Sequence, residues 1–110
     1  MAARATAALG ESERLFLADL VVAECVYVLE SFYEVARSQV AILMRAAIAM
    51  PSVSVLDSAT LVRSLEIYEL ERLDFAEAYL VACAEATGVG KVLSFDRSID
   101  RIGSVGRVEP

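Results

Sequence analysis

Residues 73–100, LDFAEAYLVACAEATGVGKVLSFDRSID, read as a helix, a glycine turn, a short apolar strand and an acid where the strand runs out. Asp74 and Glu77 open the helix. Gly88 and Gly90 close it. The run 92–95 has strand character, and Asp96 follows it at once. In an open parallel α/β sheet, ligands gather just outside the carboxyl ends of the strands. This spacing therefore allows one acid from the helix and one from the strand end to meet at a single site.

The rest of the chain repeats the alternation. Residues 2–9 look like the tail of a helix, stopped at Gly10. A short apolar run at 15–18 fits a strand. Asp19 fits an N-cap, and 20–33 a largely buried helix. A second helix runs from 38 to 49 and ends at Met50-Pro51. SVSVL at 52–56 suggests a strand. Asp57 or Ser58 caps a helix to about residue 72, with Leu61, Leu65, Tyr68 and Leu70 as its apolar positions. After the helix 74–87 and the strand 92–95 come a turn or short helix at 96–102 and a last strand at 105–108. Short strands alternating with helices predict an α/β fold with a parallel sheet and crossover helices. The 110 residues suffice for one domain, 1–110, with a real core.

Composition removes several classes of function. The chain has no His, which excludes a Ser-His-Asp triad, a Cys-His pair and His-ligated zinc or haem. Its net charge of -6 does not suit binding of nucleic acid by bulk attraction. It suits a cation held by clustered acids, or a basic protein partner. Cys25 and Cys83 each lie among apolar residues and read as small buried side chains in a reducing compartment. The longest apolar run, 20–29, is too short to span a bilayer. The opening MAARATAALGESE lacks the apolar core of a signal peptide, which points to a cytoplasmic protein with no membrane partner.

Glu24 is the only charged side chain between Leu20 and Leu29. A carboxylate on such a helix either has a ligand, is paired with an arginine, or lies on a narrow exposed stripe. Asp74 and Glu77 form an Asp-x-x-Glu pattern, which is also a capping box. The two roles are compatible, with Asp74 capping while Glu77 faces a site. Asp96 can likewise start a turn, and Asp100 reads as exposed. The functional alternative for these acids is a cluster around Mg²⁺ or Mn²⁺, hard cations that take oxygen ligands. Such an ion supports phosphodiester hydrolysis without histidine. GVGK at 88–91 is not a phosphate loop, because Glu85 stands at the first glycine position and Val92 follows the lysine. The sequence points to no organic cofactor.

Three segments together resemble the PIN-domain proteins, in particular VapC-type toxin ribonucleases: LFLADLVVAECVYVLESFY at 15–33, LDFAEAYLVACAEATG at 73–88 and VLSFDRSIDRIGSVGRVEP at 92–110. The resemblance implies an α/β/α sandwich on a short parallel sheet and a Mg²⁺-dependent endoribonuclease. By position it makes Glu24, Glu77 and Asp96 the catalytic, metal-binding acids, with Asp74 beside Glu77. Glu77 stands where the family more often has Asp. Ser98 stands where a further Asp is common. Family members also open with a central strand carrying an Asp in a DTN-like motif. No such segment precedes the first helix of this sequence, so the expected sheet lacks that strand.

The resemblance further implies RNA as substrate, a cognate antitoxin as partner and a homodimer. Arg97 or Arg101 is a candidate for holding phosphate. The alternative is a catalytically impaired PIN remnant that binds only an antitoxin or a sister subunit. The two readings separate on metal binding and RNA cleavage.

Overall fold

The computed structural model describes residues 14–110. The helix tail expected at 2–9, with its stop at Gly10, lies outside the described residues. The elements in chain order are β1 (Leu15–Phe16), α1 (Asp19–Ser31), α2 (Arg37–Ile48), β2 (Val53–Ser54), α3 (Ser58–Glu71), α4 (Phe75–Thr87), β3 (Lys91–Leu93), a 3-10 helix (Arg97–Arg101) and β4 (Gly106–Val108). This is the expected α/β alternation, with strands shorter than the sequence suggests. Both strand pairs are parallel: β1 with β2, and β3 with β4. Among the described residues they form two separate two-stranded sheets. The chain divides into two compact units, Met1–Ser58 and Ala59–Pro110.

In the first unit α1 packs on α2. Val22 and Val26 of α1 and Val40, Ala41, Met44 and Ile48 of α2 are buried. The spacing of the α2 residues, near three and four, is that of one helical face. The expectation of a largely buried α1 fails. Leu20 is 79% exposed and Tyr27 64%, and Phe32 at the C-cap is 73% exposed. A helix apolar all round has no sequence signal for which face is covered, and here only the narrow Val22–Val26 stripe is. The cap also differs. Ala18 takes the N-cap position without a side-chain bond, and Asp19 enters the first turn, where a carboxylate suits the positive end of the helix dipole.

In the second unit α3 buries Leu61, Leu65, Ile67 and Tyr68. Leu70, expected among its apolar contacts, is exposed, and Ile67 takes that role. At about 100° per residue, position 67 falls beside the 60–64 edge of the buried face, whereas 70 turns away from it. Tyr68 meets Phe75 edge-on at 6.3 Å, and Phe75 stacks on Tyr79 at the same separation. The Tyr68–Phe75 contact ties α3 to α4. Arg63 adds a second tie, its Nε donating to Glu85 Oε1 at 2.8 Å and its Nη2 to Glu85 Oε2 at 3.0 Å. Gly88 ends α4 at φ 76°. This is the left-handed conformation that glycine adopts without steric cost, and it brings the chain round into β3.

Candidate active site

The turn at Gly88 sets β3 against α4. The carboxyl end of β3 is followed by Ser94, Phe95 and Asp96. Ser94 joins two of the acids singled out in the sequence. Its hydroxyl donates to Glu77 Oε2 at 3.1 Å and accepts from the Asp96 backbone N–H at 3.0 Å. Glu77 is in the first turn of α4, so the helix start and the strand end meet here.

Asp96 caps the 3-10 helix that follows. Its Oδ1 accepts from the Ser98 N–H at 2.9 Å and from the Ser98 hydroxyl at 2.6 Å. The Ser98 hydroxyl is the larger influence and the Ser98 N–H the next; together they hold the Asp96 carboxyl below the usual carboxylate range. The group is therefore ionised at neutral pH, with both of these bonds on Oδ1. Ser98, where a further acid was expected from the family, instead orients Asp96.

The capping box read from Asp74 and Glu77 does not form in that way. Asp74 occupies the N-cap position with extended backbone but makes no side-chain capping bond. The Glu77 side chain reaches Ser94, seventeen residues on. Asp100 is exposed as expected, yet its carboxylate is paired with Arg107 at 2.9 Å, and that hydrogen bond pulls it below its ordinary range. Arg101 donates to the Ser98 carbonyl at 3.3 Å, and Arg97 lies exposed 4.0 Å from Glu109.

Glu24 is in the first unit. It is exposed, lining a groove of about 490 Å³ with Leu20, Ala23, Tyr27 and Val28. Its carboxylate is hydrated, so it does not carry the desolvation cost of a charge buried in an apolar helix. Neighbouring Cys25 is half-buried and is a free thiol. Burial, then the Glu24 carboxylate, pushes that thiol up from 9.0, which disfavours the reactive thiolate.

Two residues of the second unit's network were not singled out in the sequence. Ser94 falls inside the expected strand 92–95. As the only polar residue of VLSF, immediately before Phe95-Asp96, it carried a signal. Arg107 falls inside the expected strand 105–108. Its lone charge among small and apolar neighbours was the available clue.

Among the described residues no group of three or more His, Cys, Asp or Glu is arranged to hold a metal ion. Glu77 and Asp96 are both carboxylates, whose oxygens are the donor type that Mg²⁺ takes. Mg²⁺ commonly uses one or two carboxylates and keeps several waters, so this donor set fits that ion. Compared with protein-family models, the chain matches that of the PIN domain over residues 1–105. It belongs to the PIN-domain family. Neither the curated proteins nor the solved structures gave a match. PIN domains are generally metal-dependent nucleases, and this membership agrees with the α/β order and the parallel strand pairs. No helix among the described residues is long and apolar enough to cross a membrane.

Proposed function

We propose that the chain is a VapC-type endoribonuclease of the cytoplasm, a toxin paired with an antitoxin and acting as a homodimer. It hydrolyses RNA phosphodiester bonds with Mg²⁺ or Mn²⁺. The observation that carries this reading is the Ser94 hydroxyl joining the Glu77 carboxylate to the Asp96 loop at the end of β3. In this proposal Glu77 and Asp96 hold the ion. Glu24 is the third acid by its family position alone. When bound, the divalent ion would supply water of lowered pKa and offset charge on the phosphate.

The chain's own residues do the positioning. Ser94 fixes Glu77 relative to the strand end. Ser98 favours the charged form of Asp96 and restricts its rotation. Asp74, beside Glu77 at the start of α4, is the nearest further acid in sequence. Hydrolysis adds water across a P–O bond, so the leaving oxygen must gain a proton. The attacking water gives up a proton as the leaving oxygen gains one, and the carboxylates would act by holding the cation that offsets the phosphate charge.

A fluorescent single-stranded RNA tests the reading. Cleavage with Mn²⁺, abolished by chelator and by Glu77→Gln or Asp96→Asn, is the expected result. A folded protein that cleaves equally well with both acids replaced would refute it.

The exposed apolar residues of α1 favour a second reading, a PIN remnant that only binds a partner. That reading predicts stable co-purification of a partner without metal binding or cleavage.

A further inference from the structure

We propose that Arg107 is a positioning residue that fixes the Asp96 loop by gripping it at both ends. The proposal rests on the reading of Asp96 as a metal ligand. Arg107 lies on β4, opposite Val92 in the parallel register with β3. Its side chain is only 11% exposed, low for an arginine. At the start of the loop its Nη1 donates to the Ser94 carbonyl at 3.1 Å. At the far end its Nε and Nη2 donate to the two Asp100 carboxylate oxygens at 2.9 and 3.2 Å. Asp96 and Ser98 lie between these two holds. Nη1 also donates to Glu109 Oε1 at 3.1 Å.

One planar guanidinium thus spans the loop in a fixed fork. A lysine carries the same charge but cannot reproduce that fork. The two carboxylates around Arg107 offset its charge, so it suits anchoring the loop rather than holding phosphate. The strand pair assists, since the Ser94 N–H donates to the Val108 carbonyl at 3.0 Å. The loop's first residue is therefore fixed to β4 by its N–H and its carbonyl. The Asp96 carboxylate sits two residues along, where small changes in backbone angle would move it.

The test uses the full chain with Arg107→Lys and Arg107→Met. Amide hydrogen exchange reads the loop, and Mn²⁺ titration reads the site. Exchange should rise at the Ser98 and Ile99 amides, which bond to Asp96. The core amides of Val81 and Ala82 should stay as protected as in the wild type, which shows that the variants fold. Mn²⁺ affinity should fall roughly tenfold in both variants, as for partners that orient metal ligands. Lysine should not rescue it. Unchanged exchange, or Arg107→Lys binding Mn²⁺ as tightly as wild type, overturns the proposal while leaving the metal-site reading intact. A wild-type protein that binds no Mn²⁺ overturns the metal-site reading, and the proposal with it.

Discussion

Replacing Ser94 by alanine removes one oxygen that serves two neighbours. The hydroxyl donates to the Glu77 carboxylate and accepts the Asp96 N–H. A hydrogen bond to a charged group contributes about 1.5–3 kcal/mol, and a neutral one about 0.5–1.5 kcal/mol. Both bonds here are half-buried, so water replaces part of each. The expected loss of stability is therefore about 1–2 kcal/mol, read as a shift in a urea transition. Glu77 also loses its tether to the strand end. Groups that orient metal ligands typically change affinity by about 10–100-fold, so Mn²⁺ affinity by calorimetric titration should fall at least roughly tenfold. Ser94→Thr retains the hydroxyl and should recover most of the loss. If Ser94→Ala binds Mn²⁺ within about twofold of wild type, the serine does not position the acids and the reasoning fails.

Two further predictions concern stability. Arg72 follows α3 at φ 60°, a left-handed conformation that is costly for a residue with a Cβ. Arg72→Gly should raise the unfolding free energy by up to about 1 kcal/mol, and a lower urea midpoint would contradict this. Glu85 is held below its ordinary value of 4.5, first by Arg63 and then by Ser104. Its folded value is the depressed one, so its stabilisation is complete above pH 4.5 and is lost as pH falls through the folded value. Arg63→Met should lose stability near neutral pH and flatten the acid limb of the pH profile. An acid limb identical to wild type would argue against the pair.

The element order was legible because glycines, prolines and helical spacing mark the breaks. Gly88 ends α4 and Met50-Pro51 follows α2, as the sequence suggests. Asp96 was legible because it directly follows an apolar run. The burial of α1 was not, because LVVAECVYVL is apolar on every side and periodicity cannot choose a face. Glu24, on that helix, is exposed, so no burial cost calls for a partner there. Glu77 is singled out by the sequence, but its hydrogen-bond partner Ser94 is not. The capping-box pattern is a local explanation, whereas the bond to Ser94 joins residues seventeen apart and depends on how β3 lies against α4. Arg107 was missed for the same reason, since its hold on Ser94 and Asp100 exists only once β4 pairs with β3.

The central claim is that Glu77 and Asp96 serve one divalent ion. A double-mutant cycle in Mn²⁺ affinity measures this directly, using Glu77→Gln, Asp96→Asn and the pair together. Each single change should weaken binding by tenfold or more (about 1.4 kcal/mol), and the double variant should bind about as poorly as the worse single one. Effects that simply add, or an Asp96→Asn protein that binds Mn²⁺ like wild type, would contradict it.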